Sequence, residues 1–238
     1  MPFRARFVAS AAALVTAGFL LAPAAQASPG PVQVNGIQLK SALLPSSGFG
    51  SDFQLGAWLR TGSALWHLRA WNHVSSMGCG KFEGGDGIFG FGQSAVALSY
   101  SDNPNPWPDY PNTMFYWYQS VYQFPSAKAA SAYFTQARAK YAACNDFTDA
   151  VPASSVPGSG ALETTTQTMS KAGVGKYQSF EVGQLSNLSE APGFTINLNT
   201  MVTLEGTDVF TMVSVGGTND PVPASLMLKL INRVKALR

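Results

Sequence analysis

Charge, cysteine and histidine are all scarce in this chain. Charged residues make up 12% of its 238 positions, and it holds two cysteines and two histidines. Each shortage excludes something. With only His67 and His73, and no C-x-x-C spacing, a zinc site or a dithiol redox centre lacks its ligands. Neither histidine is accompanied by a G-x-S-x-G elbow, and Gly90-Phe91-Gly92 opens no G-x-G-x-x-G or P-loop pattern. Asp102, Asp109 and Asp208 are isolated acids in turn-like segments, where Asx-turn chemistry accounts for them. The expectation is therefore no catalytic residue, no metal ligand and no cofactor.

What is present first is an export signal. Arg4 and Arg6 precede an apolar run from Phe7 to Leu21, and Pro23 leads to Ala25-Gln26-Ala27, a small-residue cleavage pattern before Ser28. The run is shorter than the roughly 20 residues of a membrane span, so residues 1–27 read as a cleaved signal peptide with no stable membrane insertion afterwards. Without Arg4 and Arg6, thirteen basic residues balance thirteen acids. A neutral, sparsely charged surface has no field to gather nucleic acid or anionic lipid. Cys79 and Cys144 both follow the signal, and an even count in an exported chain predicts one disulfide.

The remaining length suits a single domain over residues 36–238, after a Pro/Gly-containing flexible lead at 28–35. Ile37 to Leu44 begins the ordered part, which Pro45-Ser46-Ser47-Gly48 interrupts. Short strands are expected within Leu55–Arg69 and over Gln93–Ser101. Gly84-Gly85-Asp86-Gly87 and the Pro-rich Asn103–Pro108 form loops. Met114 to Phe124 is aromatic and β-branched, the composition of a strand. Ser126 then caps a helix whose Ala130, Tyr133, Phe134, Ala137, Tyr141 and Cys144 recur on one face. Strands follow at Glu163–Met169, Lys176–Leu185 and Phe194–Leu204, and Glu205-Gly206-Thr207-Asp208 turns the chain into Val209–Val215. A final helix carries Leu226, Leu230, Val234 and Leu237 as its core stripe, with Lys235 and Arg238 at its C-terminal dipole. Strands with helices at separate places predict an α+β fold: a central antiparallel sheet with flanking helices and one disulfide.

One concentration of side chains points to binding. Trp107, Tyr110, Phe115, Tyr116, Trp117 and Tyr118 fall within a dozen residues. Alternation sends Phe115, Trp117, Gln119 and Gln123 to one face of their strand and Tyr116, Tyr118 and Tyr122 to the other. One face packs on helices. The other, joined by Asn197 and Asn199, makes a polar-aromatic groove wall, and the candidate ligand-binding set is Trp107, Phe115, Trp117, Gln119, Asn197 and Asn199.

Short segments in order also carry a family resemblance. Leu43-Leu44-Pro45, Met77-Gly78-Cys79, Ser120-Val121-Tyr122-Gln123-Phe124 running into an Ala-rich helix, and Cys144 followed by Phe147 lead to Tyr177-Gln178-Ser179-Phe180 and the terminal Arg233–Arg238. Over roughly Gly36–Arg238 the chain resembles the PknH-like extracellular (sensor) domain of actinobacteria. The resemblance implies an α+β domain outside the cell membrane with a cleft that takes a ligand. It departs in carrying no kinase, no membrane span and no second disulfide. The function expected is a secreted, non-enzymatic ligand-binding or sensing domain, its partner a small molecule or cell-envelope component. The alternatives are an extracellular hydrolase with no recognisable motif and a cell-surface protein-interaction module.

Overall fold

In the computed structural model the described residues are 33–51, 53–63, 95–102, 114–144, 146–150, 162–188, 195–216 and 221–238. All belong to one unit, Pro31–Arg238. The expected signal peptide, most of the lead, the glycine- and proline-rich loops, His67, His73, Cys79 and Trp107 lie outside the described residues.

The chain enters through helix α1 (Gly36–Ala42) and a 3₁₀ turn at Ser46–Gly48. Eight strands and two helices follow: β1 (Gln54–Ser63), β2 (Ala95–Asp102), β3 (Met114–Gln123), α2 (Ala127–Ala143), β4 (Asp146–Ala150), β5 (Leu162–Lys171), β6 (Gln178–Leu188), β7 (Thr195–Glu205), β8 (Asp208–Gly216) and α3 (Ala224–Lys235). The strands form one eight-stranded sheet in the order β1-β2-β3-β8-β7-β6-β5-β4. Every neighbouring pair is antiparallel. The α+β reading of the sequence thus agrees with the architecture.

Local chemistry sets the element ends. Asn35 accepts from the Gln38 backbone N–H while the Gln38 side chain accepts from the Asn35 N–H, both at 2.9 Å, a capping box that starts α1. Ser126 Oγ accepts from the Ala129 N–H at 3.2 Å and starts α2, as its sequence predicts. At the β7–β8 hairpin Glu205 pairs with Asp208, and Gly206 supplies the φ of 58° that a side-chain-bearing residue would take up only with strain.

Both faces of the sheet are covered at its centre. On one, Ala97, Val121, Met201, Phe210 and Met212 pack against Leu39 and Leu43 at α1 and against Met227, Leu230, Ile231 and Val234 of α3. On the other, Tyr122, Phe180, Val182, Val202 and Val209 pack against Ala130, Tyr133, Phe134, Ala137 and Tyr141 of α2. The α2 stripe is the one its sequence predicts. That of α3 is rotated: Met227 and Ile231 are buried with Leu230 and Val234, whereas the expected Leu226 and Leu237 are only partly buried. Rings lock the α2 layer, with centroids 5.1 Å apart for Phe124–Tyr133 and 5.3 Å for Phe134–Phe180. Burial, then the neighbouring Tyr118 and Tyr133, holds the Tyr122 phenol well above its ordinary pKa.

Two expectations need correction. The flexible lead expected over 28–35 ends earlier, because the chain is already docked at Gln33, whose Nε2 donates to the Phe124 carbonyl at 2.9 Å. Val34 is buried and its N–H donates to Gln123 Oε1 at 3.0 Å. Asp208 is no solvated turn acid. Its carboxylate is buried and receives Arg238 Nη2 on both oxygens, at 2.8 and 2.6 Å, with Gln123 Nε2 donating at 3.4 Å. Lys235 likewise reaches Glu205 at 2.9 Å, and Arg233 donates to the Ala42 and Ser41 carbonyls that end α1, at 2.7 and 2.9 Å. The basic end of α3 serves specific acceptors as well as its own dipole.

Burial raises the Asp208 pKa, and the charge of Arg238 and the bond from Gln123 pull it partly back. A carboxyl whose folded pKa lies above its unfolded one contributes stability that is fully present below the unfolded value. That contribution is lost as pH rises through the folded value. Arg238→Ala leaves the buried carboxylate without its cation. The expected loss is on the order of 2 kcal/mol at neutral pH, less than the roughly 3–5 of a fully enclosed pair because Arg238 is partly exposed. Urea titrations of both chains should show that difference shrinking as pH falls into the carboxyl range, where Asp208 is neutral in both.

Candidate functional site

Register brings the candidate residues to one face. Trp117 of β3 stands opposite Ser101 of β2 and Ser214 of β8. Ser214 stands opposite Asn199 of β7, Asn199 opposite Gly183 of β6, and Gly183 opposite Thr168 of β5. Directly paired residues share a face of the sheet. One row therefore runs Ser101–Trp117–Ser214–Asn199–Gly183–Thr168, on the side that α1 and α3 cover further along. Beside it runs a second row, Gly216–Asn197–Leu185–Thr166. From β2 to β5 neither row holds a charged side chain.

Trp117 is anchored. Its ring stacks on Phe49 at 5.3 Å between centroids and 14° between planes, just after the 3₁₀ turn. Ser101 Oγ donates to Ser46 Oγ at 3.0 Å and ties the same turn to β2. Asn197, Asn199 and Ser214 are buried, whereas Thr166, Thr168 and Leu185 are exposed. The row thus passes from enclosed to open across β7 and β6. Gly183 sits at that step. A Cβ there would lie 3.2 Å from Thr168 Oγ1 and 3.3 Å from Asn199 Oδ1, so its absence lets those two polar side chains face each other. The half-buried carboxyl of Glu181 lies on this face as well, in the row beyond. Burial raises its pKa, the donated Val222 N–H at 2.9 Å lowers it, and burial is the larger effect.

The candidate residues are placed differently. Gln119 is fully buried and committed: its Oε1 accepts from the Leu44 N–H at 2.9 Å, and its Nε2 donates to the Leu44 carbonyl at 2.7 Å and to Ser99 Oγ at 2.8 Å. It staples the segment after α1 to the sheet. Phe115 lies in β3 where the register against β8 shifts between Met114 and Tyr116. Trp117, Asn197 and Asn199 are brought to one face. Sequence reasoning missed Ser101, Ser214, Gly183 and Phe49, because only strand register and the Phe49 stack place them. Expected disulfide partner Cys144 caps the C-terminal end of α2 and is buried. Among the described residues no group of three or more His, Cys, Asp or Glu could hold a metal ion. None of their helices is long and apolar enough to cross a membrane. Chemically, the rows offer ring stacking and neutral hydrogen bonding.

A single antiparallel sheet covered by helices on both faces is an α+β architecture. Among solved structures the chain is similar to the extracellular domain of PknH from Mycobacterium tuberculosis. The TM-score is 0.53 and the identity 18%, over 86% of this chain and 96% of that one. The likeness establishes a shared fold. No protein-family model matches the chain, and no curated protein does.

Gln119→Ala is expected to cost about 2 kcal/mol, because it orphans the buried N–H and carbonyl of Leu44 together. A denaturation midpoint that stays at the wild-type value would show that the staple carries no stability.

Proposed function

We propose that the chain is a secreted, non-enzymatic ligand-binding or sensing domain, and that its ligand meets the sheet along the row from Trp117 to Gly183. The observation that carries this reading is the row itself: an anchored indole, buried amides and hydroxyls, and a glycine where the cover gives out, with no charged side chain between Ser101 and Thr168. Natural binding sites combine apolar rings with a few fixed polar groups, which is the composition here. An uncharged wall favours a ligand that offers hydroxyl, amide or ring contacts over one recognised by charge. Likeness in fold to an extracellular domain supports the sensing part of the reading.

Export is part of the same proposal. The chain is processed before Ser28 and carries a Cys79–Cys144 bridge. Secreted material should therefore begin at Ser28 and, unreduced, weigh two hydrogens less than its reduced form. Reduction removes the constraint of a loop of about 65 residues from the unfolded chain and should cost about 4 kcal/mol, less any strain. Two thiols that react with alkylating reagent in the denatured, unreduced protein would refute the bridge.

The binding test uses the mature chain in calorimetric titrations against neutral oligosaccharides, lipids and charged metabolites. Saturable binding should weaken about tenfold, or roughly 1.4 kcal/mol, in Trp117→Phe and in Asn199→Ala. Ile37→Ser, on the exposed side of α1, should leave it unchanged. Absence of saturable binding across the panel would sink the reading, as would a ligand indifferent to both row substitutions.

A further inference from the structure

We infer that one ordered water molecule is bound between β3 and β8 on the α2 side of the sheet, held by the hydroxyls of Ser120 and Thr211. These two residues are direct partners in the β3–β8 ladder, so their side chains leave the sheet together with Cβ atoms about 5 Å apart. Both are fully buried, and among the described residues neither Ser120 Oγ nor Thr211 Oγ1 has a partner in hydrogen-bond geometry. Buried hydroxyls are satisfied in nearly all folded proteins, and the ordinary agent where protein groups fall short is an internal water.

The surroundings select that occupant. Tyr118 and Tyr122 flank Ser120 two positions away on either side, on the same face. Four residues of strand span about 13 Å, yet the two phenol oxygens meet at 3.2 Å. The rings therefore lean together across the Ser120 position and close it with polar groups. The Ser120 hydroxyl lies close enough to that of Tyr122 to pull the phenol pKa down against the effect of burial, so Tyr122 borders the same site. Val202 stands opposite Thr211 on the far side and offers no polar atom. With no carboxylate or cation among these groups, a metal ion or an anion has nothing to hold it. A water molecule both donates and accepts, as do Ser120 and Thr211, so one molecule answers both hydroxyls.

A high-resolution crystal structure of the mature chain should show a water within hydrogen-bond distance of both oxygens. Thr211→Val keeps the shape and removes one partner. If the water bridges, that variant and Ser120→Ala each melt about 2–4 °C below wild type. The two effects should fall short of adding in the double variant, because either substitution releases the same molecule. A Thr211→Val midpoint equal to or above wild type, or a direct Ser120–Thr211 hydrogen bond with no water in density, overturns the inference.

Discussion

The structure depends on burying the strands at the middle of the sheet on both sides at once. In β8, eight of nine residues are buried and only Val213 is partly so. A strand enclosed in this way has no solvent face on which to put polar side chains, and each one it carries must find a partner inside. Gln119 and Gln123 of β3 and Asp208 of β8 find theirs in segments far away in sequence. Gln119 holds Leu44, Gln123 holds Val34, and Asp208 holds Arg238. The polar groups in the central layer thus fasten the segments flanking α1 and the end of α3 to the sheet, where hydrophobic packing alone would allow sliding.

The two faces then diverge. On the α2 side the aromatic layer continues into buried amides: Gln184 Nε2 donates to Gln167 Oε1 at 3.1 Å, and Gln167 in turn donates to the Tyr141 carbonyl at the end of α2. That side is closed as far as β5. On the α1/α3 side cover gives out between β7 and β6, where Asn199 is buried but Thr168 and Leu185 are not.

How much of this was legible follows from what each signal depends on. The α2 stripe and the Glu205–Asp208 turn rest on local spacing, and both were readable to the residue. Alternation in β7 separates its two faces but is no guide to their exposure. Apolar alternation through Ile196, Leu198, Val202 and Leu204 reads as one core face and one wet face, yet Asn197, Asn199 and Thr203 are buried and Leu204 is only partly so. Helices on both faces remove the contrast on which alternation depends. Gln119 was misjudged similarly: a glutamine on an aromatic strand looks the same in sequence whether it faces a ligand or a backbone 75 positions away. Trp117, Asn197 and Asn199 could be put on one face only by assuming which strands are neighbours, and β3 and β7 are in fact separated by β8.

That separation bears on what the fold can be used for. Because β8 lies between them, Trp117 and Asn199 stand two strand spacings apart, about 10 Å. An indole and an amide at that distance cannot grip one small planar group together. Between them lies Ser214, which the protein covers completely. Toward β5 the row opens to solvent at Thr168, past Gly183, whose missing Cβ leaves room for the Thr168 and Asn199 side chains. The other way it meets the Phe49–Trp117 stack and the Ser46–Ser101 bond, which fix the segment after α1 against β2. The row therefore has a closed end and an open end. That asymmetry follows from strand order and from where α1 and the turn after it dock, and alternation within β3 and β7 encodes neither.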